Sequence, residues 1–150
     1  MASKGKVTVR DATASQKGVS TKSDISGNWS TVRMTEGDYE EYAKDKTIYI
    51  ADRANGTCTI GLKDNSEYKD HTEIEVYSLR HGFQIAAENP EKGEVQIRYM
   101  DKFSTKGTGS VKSPNYGDPN DNKSWLKLTF YKVLGLWIAQ YYSSTEFEVI

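Results

Sequence analysis

At 150 residues the chain is long enough to bury one sizeable core and too short for two ordinary domains. Its 20 basic and 21 acidic residues leave a net charge of −1, which removes the bulk attraction of a nucleic-acid or anionic-membrane binder, and neither partner is expected. The single cysteine, Cys58, rules out an intrachain disulfide, and no apolar run is long enough to span a bilayer.

Residues 1–22 are rich in Ser, Thr, Ala, Gly and Lys, with Lys4, Lys6, Arg10, Lys17 and Lys22 set against Asp11. That composition predicts a mobile N-terminal tail, with residues 23–150 forming a single β-rich domain. No stretch of the tail has the apolar core of a signal peptide. The expected location is therefore cytoplasmic, or secreted with the signal segment already removed.

From Ser26 onward apolar residues recur with period two rather than 3.6, the mark of half-buried strands. A first strand covers 27–34, and the acidic stretch 36–42 reads as a short helical turn or lid. Strands at 47–51 and 57–62 flank Asn55-Gly56, a pair that readily takes positive φ and predicts a tight hairpin. A second hairpin is predicted at His81-Gly82, between 73–79 and 83–87. In 94–100, Val95, Ile97 and Tyr99 share one face, while Glu94, Gln96 and Arg98 share the other. A loop rich in Gly, Ser, Pro and Asn follows at 104–123, of the length that tends to be functional or mobile. The pattern ends with a hairpin at Leu134-Gly135, between 125–133 and 136–143, and a last strand at 146–150.

Sequential hairpins favour an all-β fold in which about eight strands close into an antiparallel up-and-down barrel, leaving no exposed edge. A β-sandwich has the same local signals and is the alternative. The opening Ile25-Ser26-Gly27-Asn28-Trp29-Ser30-Thr31-Val32, followed by this meander, resembles the calycin superfamily, and most of all a lipocalin. The resemblance rests on Gly27-x-Trp29 and the strand pattern, and only those two residues carry over. It implies that Gly27 turns the chain into the first strand and that Trp29 closes one barrel end. No arginine follows Arg98, so the family's late arginine has no counterpart.

Inward residues of such a barrel either fill it or leave room for one small ligand. The aromatic residues on the apolar phase, Tyr49, Tyr77, Phe83, Tyr99, Phe130, Trp137 and Tyr141, are the candidate ligand-binding set, with simple core packing as the competing role. Tyr39, Tyr42 and Tyr116 are candidate lid residues. The leading expectation is a carrier for a small hydrophobic or amphiphilic molecule. One alternative is a cofactor-independent cyclase or isomerase that shapes its substrate through tyrosine donors. Another is a sandwich-type interaction or sugar-binding module, marked by exposed Tyr116, Trp125 and Tyr142. No cofactor, metal site or catalytic set is assigned. His71 and His81 lack ligand-spaced partners, no phosphate loop or Cys-x-x-Cys is present, and Cys58 reads as a small buried apolar residue.

Overall fold

The computed structural model describes residues 28–150; Gly27 and the predicted tail lie outside the described residues. The chain divides into two units, Met1–Ser30 and Thr31–Ile150. Twelve strands are present among the described residues: β1 Ser30–Met34, β2 Asp38–Tyr42, β3 Thr47–Asp52, β4 Cys58–Leu62, β5 Glu73–Arg80, β6 Phe83–Ala87, β7 Ile97–Tyr99, β8 Lys102–Phe103, β9 Ser110–Lys112, β10 Trp125–Tyr131, β11 Leu136–Tyr142 and β12 Glu148–Val149. Short 3-10 turns occupy Asn65–Glu67 and Pro90–Lys92.

The all-β expectation holds, but the strands do not close into an up-and-down barrel. They form a seven-stranded sheet of order β1-β3-β5-β10-β11-β7-β8 and a five-stranded sheet of order β12-β9-β6-β4-β2. The first six strands alternate between the two sheets, so each returns beside the strand two places before it. β3 therefore runs parallel to β5, and β4 runs parallel to both β2 and β6. Antiparallel pairing dominates later, where β10 lies between β5 and β11, and β9 lies between β6 and β12.

Two predicted hairpins are thereby corrected. Neither Asn55 nor Gly56 takes a positive φ, so the tight turn that would fold β4 back on β3 does not form. Instead Arg53 Nη1 bridges the loop by donating to the Thr57 carbonyl at 3.0 Å, and the chain crosses to the other sheet. His81 and Gly82 do take the turn conformation, with φ of 67° and 79°. The His81 backbone, however, bonds to the 113–121 segment, its N–H to the Asp118 carbonyl at 2.8 Å and its carbonyl to the Gly117 N–H at 2.6 Å, while the Gly82 N–H donates to Ser78 Oγ at 3.1 Å. Of the three predicted hairpins, the one at Leu134-Gly135 joins paired neighbours, β10 and β11.

Three further differences have local causes. The predicted helical lid at 36–42 is the edge strand β2, in which Tyr39 and Glu40 bulge out of register with β4. The 104–123 loop contains β9, whose pairing with β6 and β12 ties it into the smaller sheet. The strand predicted at 94–100 narrows to Ile97–Tyr99, although Val95, Ile97 and Tyr99 are all buried as the alternation requires.

Both sheets contribute to one hydrophobic core, which includes Tyr49, Val76, Leu128 and Trp137 from the larger sheet and Ile60 and Ile85 from the smaller. Phe147 links them, with its ring 5.9 Å from that of Phe83 and 5.4 Å from that of Tyr99. β4 is buried at every position, as befits a strand covered on both faces. Each large apolar side chain buried here contributes roughly 1.5–3 kcal/mol. Trp29 is half-buried just ahead of β1, and with no closed barrel there is no barrel end for it to seal.

Candidate ligand-binding face

The larger sheet has one face in the core and one facing outward. Along β5 the alternation buries Ile74 and Val76 and turns Glu73, Glu75 and Tyr77 out; along β10 it buries Leu126 and Leu128 and turns out Trp125 and Lys127. Register sets these outward residues side by side. Tyr77 pairs with Trp125, and Glu75 with Lys127, so two adjacent strands place an aromatic pair beside two residues of opposite charge.

Tyr141 joins them through a bulge. Lys127 pairs with Tyr141 while Leu128 pairs with Ala139, which leaves Gln140 as the extra residue on β11. A bulge re-aims the side chains beyond it, and here it moves Tyr141 out of the inward phase of Trp137 and Ala139. Tyr141 is 62% exposed. Tyr142 takes the inward position instead and packs on Tyr99 at 4.8 Å.

The result is a shallow recess of about 250 Å³ lined by Glu75, Tyr77, Trp125, Lys127 and Tyr141. The Tyr77 and Trp125 rings lie 6.3 Å apart and within 24° of parallel. Lys127 Nζ sits 5.7 Å from the centre of the Tyr141 ring and 3.9 Å from Glu73 Oε2. The Tyr77 hydroxyl donates to Glu75 Oε1 at 2.9 Å. Burial first and the Glu75 hydrogen bond second push the Tyr77 hydroxyl above its ordinary pKa, so it stays a donor throughout the neutral range. Flat rings, a carboxylate acceptor and an ammonium donor thus share one wall of the molecule. That combination suits a ligand with an apolar ring face and polar edges.

A second recess, of about 700 Å³, lies where β2, β4 and the Asn65–Glu67 turn meet, and is lined among others by Glu41, Tyr42, Asp45, Lys63, Tyr68 and Lys69. Several of its polar groups are committed to the fold. The Tyr68 hydroxyl donates to the Ala43 carbonyl and accepts the Lys63 N–H, Asp45 Oδ1 accepts the Glu73 N–H, and Lys69 lies 3.7 Å from Asp45. Burial pushes the Tyr68 hydroxyl up to about 12. The smaller recess, with three rings on neighbouring strands, is the better candidate.

Of the seven predicted ligand-binding residues, the structure brings together Tyr77 and Tyr141, on the outer face rather than in a lumen. Tyr49, Phe83, Tyr99, Phe130 and Trp137 are fully buried in the core. The predicted lid residues meet the smaller sheet. Tyr39 and Tyr42 stack at 6.5 Å, and the Tyr116 hydroxyl accepts from Thr57 Oγ1 at 3.0 Å. The trio Tyr116, Trp125 and Tyr142 does not assemble, since Tyr142 faces Tyr99 while Trp125 pairs with Tyr77. Glu75 and Lys127 were missed as site residues, and the one signal for them was their place beside aromatics on the outward phase of two strands. Cys58 is buried, and burial pushes its thiol up. Among the described residues no group of three or more His, Cys, Asp or Glu is placed to hold a metal ion, and no helix is long and apolar enough to cross a membrane.

In comparisons with known proteins, no family model matches the chain, and no curated protein matches it.

Proposed function

We propose that this chain is a binding protein that takes an amphiphilic, ring-bearing ligand on the outer face of its larger sheet. The observation that carries this reading is the grouping of Tyr77, Trp125 and Tyr141 around one recess with Glu75 and Lys127 between them. The expected ligand class, a small amphiphilic molecule, is retained, and its seat moves from a lumen to an open wall. Such a wall covers one side of a ligand only, so single-ring ligands bind with dissociation constants of about 0.1–1 mM, corresponding to roughly −4 to −5.5 kcal/mol.

The test follows the indole N–H of Trp125 by NMR while methyl glycosides, alkyl glycosides and aromatic amphiphiles are added. Binding at this wall shifts that signal with saturation, and Trp125→Ala weakens the affinity about tenfold, or about 1.4 kcal/mol, without unfolding the protein. Saturable binding that leaves the Trp125 signal still and survives the substitution overturns the reading.

A further inference from the structure

The aromatic face does not end at Tyr141. Continuing across the larger sheet, Thr129 pairs with Ile138, Ile138 with Arg98, and Arg98 with Phe103, so these four residues share one row on the outward phase, with Thr129 itself buried. Phe103 is 55% exposed on the short edge strand β8, and the Arg98 guanidinium carbon lies 5.8 Å from the centre of its ring. Three aromatic stations therefore cross the face on a diagonal: Tyr77 with Trp125, then Tyr141, then Phe103. Each has a polar partner able to reach a ligand hydroxyl, Glu75 at the first, Lys127 at the second and Arg98 at the third.

We infer that the ligand of this face is an uncharged glycan chain of several sugar units lying along that diagonal, an inference that rests on the binding reading above. Length is the first argument. From β5 to β8 the sheet order takes four strand steps, about 19 Å at the usual spacing, and the rows are offset by about 13 Å along the strands. A diagonal of about 23 Å is too long for one ring and suits a chain of them.

Charge is the second argument. The outward ionic groups along the path are Glu73, Glu75, Lys127 and Arg98, and Glu73 lies 3.6 Å from Lys46 and 3.9 Å from Lys127, so neither sign dominates. A polyanion or polycation gains nothing from such a balanced row. Sugar hydroxyls, which both donate and accept, suit carboxylates and cations alike. The third argument is the interruption of the apolar surface. Acyl chains favour a continuous apolar floor, whereas here each ring is followed by an ionic group. A protein partner of ordinary size would have to cover about 800 Å² and strip water from four charges in doing so.

The experiment measures affinities of the full chain for cello-, xylo- and manno-oligosaccharides of increasing length, by calorimetry and by the Trp125 indole signal. In at least one series affinity rises about tenfold between the disaccharide and the hexasaccharide, and Phe103→Ala and Arg98→Ala each remove that gain while leaving disaccharide binding unchanged. Trp125→Ala weakens every length. Both variants alter exposed residues, Phe103 on the edge strand β8 and Arg98 on β7 beside it, and their amide spectra report whether the fold is kept. Affinity that is flat with length, or a length gain that survives Phe103→Ala, overturns the glycan-chain inference while the binding reading stands if Trp125 still responds. So does stronger binding of a charged polysaccharide such as polygalacturonate, or saturable binding of a non-sugar amphiphile alone. Failure of all sugars and amphiphiles to move the Trp125 signal overturns both.

Discussion

The outer faces of the two sheets are built from the same alternation and end in opposite states. On the smaller sheet one row runs Asp38, Thr59, Gln84, Lys112 and Glu148, and its first three members serve one another. Thr59 Oγ1 donates to Asp38 Oδ1 at 2.8 Å and accepts from Gln84 Nε2 at 3.0 Å. The next row, Gly61, Ala86 and Ser110, is small enough for the chain to lay its own tyrosines over it, and the Tyr39 hydroxyl reaches across to the Ala87 carbonyl at 3.3 Å. On the larger sheet the rings themselves stand outward, and Tyr141 and Phe103 keep more than half of their surface in water although Lys127 and Arg98 lie over them. The difference shows that aromatic residues on a sheet's outer face do not by themselves mark a site. The smaller sheet spends its rings on self-closure, and the larger sheet leaves its rings exposed.

The largest effect expected from breaking this comparison separates two tryptophans on opposite faces of the larger sheet. Trp137 is 0% exposed beneath that sheet, so Trp137→Ala costs about 3–5 kcal/mol in urea unfolding. Trp125→Ala costs about 1 kcal/mol or less, because its side chain is only partly buried on the outward face and leaves no closed cavity. Equal losses for the two would mean that the outward face is as structural as the core.

Next in size is Gly61→Val on the smaller sheet. A Cβ at Gly61 would lie 2.6 Å from Tyr42 Cδ1 and 3.0 Å from Tyr39 Cδ1, so both covering rings must shift. The expected cost is about 1–3 kcal/mol, measured by denaturant unfolding, with no change in ligand affinity at the other face. A stable variant with unchanged unfolding would show that the tyrosine cover is not holding the smaller sheet together.

The smallest effect concerns how the larger sheet holds its edge. Asp52, at the end of β3, accepts from Arg33 Nε of β1 and from Arg80 Nε of β5, each at 2.7 Å, and so ties both flanking strands. The Arg33 hydrogen bond holds the Asp52 carboxyl below its usual value, opposed next in size by burial and reinforced after that by the Arg80 hydrogen bond. A depressed folded pKa means that this stabilisation is present above the ordinary unfolded value of about 3.9 and is lost as pH falls through the lower folded value. Thermal unfolding followed from pH 6 to pH 2 is therefore steeper in acid for the parent protein than for Asp52→Asn, with the two curves converging at the acid end. Parallel curves over that range would remove Asp52 from the account.

Much of this molecule is legible in its residues taken in order. Strands at 47–52, 58–62, 73–80, 83–87, 125–131 and 136–142, the burial of Val95, Ile97 and Tyr99, and the Leu134-Gly135 hairpin all follow from period-two alternation and from a glycine at positive φ, which are local properties. Tyr77 and Trp125 sit on readable outward phases, although nothing in the order of residues says that β5 and β10 are neighbours. Backbone ladders carry no sequence code. Whether His81-Gly82 folds a strand back on its predecessor or delivers it to the opposite sheet therefore depends on which partner is there to accept its hydrogen bonds, and here that partner is the 113–121 segment. Tyr141 makes the same point at the scale of one residue. Alternation counted from Trp137 places it in the core, and only the unpaired Gln140, accommodated because Tyr142 docks on Tyr99 and pairs with Leu126, turns it outward to Lys127. The chain alone determines that its segments are strands and which side of each is apolar, because those depend on near neighbours. The arrangement of strands into two sheets, and the side on which a bulged strand shows its rings, were decided by packing between residues far apart in the chain.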